Sequence, residues 1–373
     1  MKVLEVVFWV SAALIVYTHV GYPLLLAGLS RLRRLPLWPS ADPPRVSLVV
    51  AAHDEEDVIA EKVRNALALD YPAGHLEVIV ASDGSSDGTV EVARSAAAGD
   101  ARVQVLDLER RGKVQTQDAA VEGAGGEILA FSDANALWDP AALEALVRPF
   151  ADPSVGFVCG CLTYLAPDGS NQEGVYWRYE NAVRAYESRL ASVTAGNGAI
   201  YAVRRDAYLR LDPRTSHDLA FPFNLVKRGW RALYEPRARA VERPVATLEN
   251  EFRRKRRMMS HAWPAVLGGG LLDPRGYGPM YALQIYSHRG LRYATPFLHV
   301  ITLATNVALL GEGSVYTITL VAQLALLAGA LIGRPRLLGL CRYYVLMTAS
   351  LAAGLWDWMR HGTPATWERE GVR

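Results

Sequence analysis

Val46-Ser47-Leu48-Val49-Val50-Ala51 is an apolar run broken only by one serine, and it leads straight into Ala52-His53-Asp54-Glu55-Glu56. A strand with one wet face alternates polar and apolar side chains, whereas a near-continuous apolar run suits a parallel strand buried on both faces. The same grammar repeats outward from it. A helical stretch from about Asp54 to Leu69 leads to a strand at Leu76 to Ala81 and a helix at Asp87 to Ala98. A strand at Val103 to Leu106, a helix at Lys113 to Glu122 and a strand at Glu127 to Phe131 follow. Strands alternating with helices at this spacing predict a doubly wound α/β sheet. Ligands of such sheets bind at the carboxyl ends of the strands, and the acidic motifs of this chain stand at those ends.

The 373 residues are 51% hydrophobic yet 21% charged, a mixture that fits segregation along the chain. Most of the charge lies between about Arg31 and Arg292, and both ends are apolar. The run from about Val3 to Ser30 is long enough to span a bilayer. Its positive cluster (Arg31, Arg33, Arg34) follows the run and only Lys2 precedes it. That order predicts an uncleaved anchor over 1–30 with the N-terminus outside, rather than a signal peptide. Pro36, Pro39, Pro43 and Pro44 make 31–44 a stiff linker. The cytoplasmic domain is expected over 45–261. Gly, Pro and aromatic residues mark 262–293 as a segment lying along the membrane surface. Transmembrane helices are expected over 294–358, carried by the apolar runs Thr295 to Leu310, Val315 to Ile332 and the shorter Tyr343 to Trp356. The first two read as a hairpin, the basic loop Arg334-Pro335-Arg336 lies inside, and 359–373 is a C-terminal tail. The spans are few and are expected to lack ionisable residues at mid-depth, which argues against a transporter.

A net charge of +2 is too small to point to nucleic acid. Only five of the 40 cationic residues are Lys (2, 62, 113, 227 and 255), which fits a GC-rich bacterial source. Cys159, Cys161 and Cys341 have no partners at zinc-ligand spacing and read as incidental thiols.

Three strand ends carry acids. At the first, Asp54 reads by itself as a helix N-cap with acids in the first turn. At the second, Ser82-Asp83-Gly84-Ser85-Ser86-Asp87-Gly88-Thr89, glycines let the backbone approach a ligand, and Asp83 can accept hydrogen bonds from a base or ribose. Asp87 fits better as a cap. At the third, Phe131-Ser132-Asp133-Ala134-Asn135, two oxygen-bearing side chains spaced i, i+2 suit a hard divalent cation completed by phosphate oxygens.

Together these segments resemble the inverting family 2 glycosyltransferases of the GT-A fold, including the bacterial polysaccharide synthases. The resemblance implies that His53, Glu55 and Asp83 line a nucleoside pocket and that Lys113 lies near the donor diphosphate. It implies a divalent cation, Mg2+ or Mn2+, on Asp133 and Asn135, with Asn135 replacing the family's second acid. Gly196, Asn197 and Gly198 match an acceptor-facing loop. Asp218 matches the general base, with His217 where the family usually has an acid. Arg253, Arg256 and Arg257 match a segment that contacts the diphosphate, with Arg257 in place of a Trp; the bland alternative is a basic cluster drawn to anionic lipid. The implied activity is inverting transfer of a hexose or N-acetylhexosamine from a uridine diphosphate sugar to a lipid-linked or growing glycan, in cell-envelope or exopolysaccharide synthesis. The implied place is the bacterial inner membrane, among other polysaccharide-assembly proteins. Two alternatives stand beside it: polyprenyl phosphate as acceptor, and a non-catalytic scaffold that retention of Asp83, Asp133 and Asp218 argues against.

Overall fold

Val46 to Ala52 forms the strand β1, and every one of its residues is buried. The reason is legible along it. Val46, Leu48 and Val50 enter one hydrophobic cluster with Ile59, Val63, Val78 and Val80, while Val49 enters a second with Ile79, Ala81, Leu129 and Phe131. A period of two with both faces apolar leaves no side for water. The computed structural model describes residues 1–33, 38, 42–164, 175–242, 248–332 and 336–363. Arg34, Pro36 and Pro39 of the linker, Arg334 and Pro335 of the basic loop and the tail from 364 lie outside these.

The remaining strands are β2 (Leu76–Asp83), β3 (Val103–Leu108), β4 (Ile128–Asp133), β5 (Leu137–Trp138), β6 (Val155–Tyr164), β7 (Tyr201–Arg204) and β8 (Arg231–Glu242). They make one sheet in the order β3-β2-β1-β4-β7-β6-β8-β5. The first four are parallel, as read from the sequence. Beyond them the sheet is mixed, because β7 runs antiparallel to both β4 and β6 and β5 runs antiparallel to β8. Register decides where the chemistry goes. Ala51 pairs with Asp133 on one side of β1, and Ala52 pairs with Ser82 on the other. The ends of β1, β2 and β4 therefore share one edge.

The chain divides into two compact units, a sheet unit (29–244 and 273–281) and a helical unit (1–28, 245–272 and 282–363). The helix Leu248–Leu267 thus groups with the apolar helices and not with the sheet. Among the described residues three helices are long and apolar enough to cross a membrane: Lys2–Ser30, Ser314–Ile332 and Leu338–His361. The third apolar run, which looked short in sequence, is therefore part of a helix of 24 residues. The first, inside Leu291–Ala308, falls short of the others in hydropathy.

One of the apolar helices carries an ionisable group in a hydrogen bond. His19 sits within Lys2–Ser30, its Nε2 3.2 Å from the Tyr344 hydroxyl, and the same hydroxyl lies 2.7 Å from His299 Nε2. The sequence hides this because a single histidine barely lowers the hydropathy of a long run. Tyr17–Gly21 is a π-turn. Pro23 follows it and has no N–H to donate one turn back, and such a widened turn absorbs that loss.

Candidate active site

The turns after β1 and β2 are zipped together by their own side chains. Asp54 takes a left-handed backbone (φ 53) and its carboxylate accepts from the Ser86 N–H at 2.7 Å. The cap of the Glu56–Leu67 helix is therefore Glu55, not Asp54 as expected, because the Asp54 carboxylate is committed to the neighbouring turn. The Glu55 N–H donates to Thr89 Oγ1 at 2.8 Å and the Glu56 N–H to Asp87 Oδ2 at 3.2 Å. Asp87 also accepts from the Thr89 N–H at 3.0 Å, but the N-cap of the Thr89–Ala97 helix is Gly88, not Asp87 as expected. His53 is buried, and its Nδ1 donates to the Asp83 carbonyl at 2.8 Å.

Asp83 itself is fully buried. Its Oδ1 accepts from the Arg111 N–H (2.7 Å), the Gly112 N–H (3.0 Å) and Thr116 Oγ1 (2.8 Å), and its Oδ2 lies 3.0 Å from the Gly112 N. These bonds point inward: the carboxylate anchors the turn that launches the Lys113–Gly123 helix. Gly112 takes φ 94 in that turn, a conformation that favours glycine.

That turn delivers Lys113 to Asp133, and the two form an ion pair. Burial alone would lower the Lys113 ammonium, but Asp133, with Asp218 and Glu242 beyond it, raises it above its ordinary value. Asp133 is half-buried at the end of β4 and Asn135 is exposed two residues on. Both offer hard oxygen donors, and a cation, the ammonium, already rests on the Asp133 carboxylate. Among the described residues no three His, Cys, Asp or Glu side chains gather to hold a metal by themselves. The donor set therefore fits an ion with few protein ligands whose remaining positions are filled by phosphate.

The loop 195–200 closes on the same point. A Cβ placed on Gly198 would stand 3.7 Å from both Asp133 Oδ2 and Lys113 Nζ, and the Gly196 N–H donates to the Asp218 carbonyl at 2.7 Å. Asn197 braces the loop: its amide donates to the Gly160 carbonyl (2.5 Å) and accepts from the Ile200 N–H (3.0 Å), leaving it buried. Asp218 opens the His217–Lys227 helix. His217 is buried among Phe131, Tyr201, Tyr208 and Phe221, with Nδ1 2.9 Å from the Tyr201 hydroxyl. Burial, reinforced by the Lys113 charge, pushes its imidazole down to about 3. It is neutral at working pH.

Arg253, Arg256 and Arg257 lie on the Leu248–Leu267 helix of the helical unit. The Arg256 guanidinium donates two hydrogen bonds to Asp357, at 2.6 and 2.5 Å. That fork is satisfied within its own unit. Arg253 and Arg257 are exposed.

Reading the sequence overlooks Thr116, Tyr201 and Glu242. Glu242 ends β8, is buried, and acts electrostatically on both Lys62 and Lys113. A lone acid closing a distant strand carries no local motif. The cysteines behave as read: Cys159 and Cys161 are buried and free, and burial pushes the Cys159 thiol up to about 12.

The profile of the family described as "Glycosyltransferase like family 2" matches residues 43–260. A teichuronic acid biosynthesis glycosyltransferase of Bacillus subtilis is 27% identical over 192 residues, which cover 51% of this chain and 75% of that one. A poly-beta-1,6-N-acetyl-D-glucosamine synthase of Staphylococcus aureus is 24% identical over 206 residues, 52% of this chain and 48% of that one. The chain thus spans three quarters of one such relative and about half of the other. Among solved structures it is similar to a mannosyltransferase of Pyrobaculum calidifontis in complex with GDP-Man and Mn2+. There the TM-score is 0.71 and the identity 25%, covering 95% of this chain and 99% of that one.

Proposed function

This chain belongs to glycosyltransferase-like family 2, and on that premise we propose that it transfers a sugar, with inversion, from a nucleotide-sugar donor to a lipid-linked or growing glycan at the cytoplasmic face of a bacterial membrane. Its mixed sheet is GT-A-like, with one N-terminal and two C-terminal apolar helices. One observation carries the proposal. Asp133, Lys113, Gly198 and the Gly196–Asp218 pair, drawn from four separate stretches of sequence, meet at the carboxyl end of β4.

Each group then has a task. The divalent ion, held by Asp133 and Asn135, would offset the charge that builds on the departing diphosphate. Lys113, cationic beside Asp133, meets the same negative charge. Asp83 fixes the backbone from which Lys113 projects. Asp218 takes the proton of the acceptor hydroxyl as that oxygen attacks the anomeric carbon, and inversion needs no covalent intermediate. His217, neutral and bound to Tyr201, is not the base; it packs beside Asp218 and stiffens the helix start. His53 and Glu55 line the nucleoside end of the edge.

The donor reading is a uridine diphosphate sugar. The likeness to a mannosyltransferase complexed with GDP-Man favours a guanosine diphosphate sugar as the second reading. The scaffold alternative falls with membership of an enzyme family. Membranes incubated with labelled UDP- and GDP-sugars, with the product sized, decide donor and chain length together. In the same assay Asp218→Asn should lower transfer by ~10²-fold or more while donor binding stays within about twofold. Turnover equal to wild type would remove Asp218 from the base role.

A further inference from the structure

Beneath the Asp133–Asn135 turn lies a lysine that the mechanism above does not use. Lys62, on the Glu56–Leu67 helix, has 0% of its surface exposed. Its ammonium donates to the Ala136 carbonyl at 2.7 Å and stands 5.1 Å from the centre of the Trp138 ring. Three residues along the same helix, Asn65 grips the next stretch at both ends of one residue. Its Nδ2 donates to the Trp138 carbonyl and its Oδ1 accepts from the Trp138 N–H, each at 2.9 Å. Residues three apart on a helix share a face, so one face clamps 136–138 at two points.

The clamp is carried onward. Trp138 Nε1 donates to the Ala199 carbonyl at 3.0 Å, and Ser132 Oγ reaches the same oxygen at 3.2 Å. Ala199 follows Gly198, the residue that lies against Asp133 and Lys113. The Ala136 N–H closes the turn on the Asp133 carbonyl at 3.3 Å. A continuous path of hydrogen bonds thus runs from one helix face, through the turn that carries Asp133 and Asn135, to the loop that carries Gly196 to Gly198.

We propose that Lys62 and Asn65 are positioning residues that set the Asp133–Asn135 turn at a fixed distance from the 196–198 loop, so that cation and acceptor meet the donor in register. Burying an ammonium is expensive, and an apolar side chain of similar length would suit this core better if packing were all that mattered. What the ammonium supplies is a donor aimed at one carbonyl and a positive charge behind an acidic turn. Burial lowers Lys62 to about 7, with the attraction of Asp133 and Glu242 partly offsetting it. Side chains that orient first ligands in this way typically change metal affinity 10- to 100-fold when removed. The proposal rests on the reading of Asp133 and Asn135 as the cation's oxygen donors.

The test uses the full-length protein in detergent, with Mn2+ and UDP, then Mn2+ and GDP, as probes. Mn2+ binding is followed by electron paramagnetic resonance, folding by circular dichroism and thermal midpoint, and donor KM and kcat by transfer. Lys62→Met should keep the fold and weaken nucleotide-dependent Mn2+ binding by about tenfold, raising donor KM more than it lowers kcat. Lys62→Arg should recover part of that loss, and Asn65→Leu should show a smaller loss of the same kind. Wild-type Mn2+ binding in a folded Lys62→Met overturns the proposal, as does an equal loss in the Arg and Met variants. Should Lys62→Met fail to fold, wild-type binding in both Lys62→Arg and Asn65→Leu overturns it instead. Asp133→Ala run in parallel separates the two levels. If Asp133→Ala binds Mn2+ as wild type does, the cation reading and this proposal fall together; if it loses binding and the Lys62 and Asn65 variants do not, only this proposal falls.

Discussion

His217 shows how the surroundings of one residue set its chemistry. It occupies the place where related enzymes usually carry an acid, yet four aromatic rings and the Tyr201 hydroxyl leave it no route to a substrate proton. Its imidazole is held down to about 3 by burial and the Lys113 charge, against about 6.5 for an unfolded chain. The unfolded chain therefore takes up this proton first as pH falls. Stability from His217 is fully present above about 6.5 and drains away as pH drops towards 3, with a slope of ~1.4 kcal/mol per pH unit. The full-length protein should lose thermal midpoint steadily from pH 6.5 to 4.5, and His217→Gln should flatten that decline. An unchanged acid slope in the variant would move the acid sensitivity to another group. Asp83 is set by its surroundings too, since its carboxylate spends its oxygens on its own backbone.

At the scale of elements, β7 joins the parallel part of the sheet to β6, and β6 carries an irregularity of its own. Its pairing with β8 shifts register between Cys159 and Cys161. Gly160 sits at that shift, and a Cβ there would meet the Ala238 carbonyl oxygen at 2.3 Å. Its own N–H and carbonyl serve Ile200 and Asn197, so the strand irregularity and the acceptor-side loop share one residue. Gly160→Ala should therefore destabilise the fold by ~1–3 kcal/mol, seen as a lower thermal midpoint, and should loosen the 195–200 loop enough to lower transfer. A midpoint equal to wild type would show that β8 can move aside at no cost. The Leu291–Ala308 helix illustrates a second effect. Thr302, Thr305 and Asn306 are buried, with both threonines donating to carbonyls four residues back, while Val300, Ile301 and Val307 are exposed. Its average hydropathy is low because its polar side chains are turned inward.

The whole molecule raises the question of how many times the chain crosses. We propose that both the basic Arg334-Pro335-Arg336 stretch and the sheet unit are cytoplasmic, and that topology requires Leu291–Ala308 to cross as well as Ser314–Ile332. At 18 residues it would span ~27 Å, close to the hydrocarbon thickness. Gly313, between these two helices, would then face outward. Gly313→Cys in a Cys341→Ser background should react with a membrane-impermeant maleimide on intact cells. Labelling only after permeabilisation would mean that Leu291–Ala308 stays on the cytoplasmic side.

The sequence by itself determined the parallel half of the sheet and the apolar ends, and it pointed to Asp133, Asp218 and Lys113. The first two rest on a short apolar run and a long one, Asp133 on an acid closing a strand, and Lys113 and Asp218 on resemblance to family motifs. Only the tertiary structure decided which side chains are available. Asp83, Asn197 and Arg256 carry the right chemistry in the right order, but their hydrogen bonds go to the Arg111–Gly112 turn, to Gly160 and Ile200, and to Asp357. Lys62, Asn65, Tyr201 and Glu242 lie outside any motif and reach the site or its supports through pairings of strands and helices far apart in the chain. A hydrogen-bond donor or acceptor can be identified from one residue, whereas the partner it meets is set by the packing of the rest.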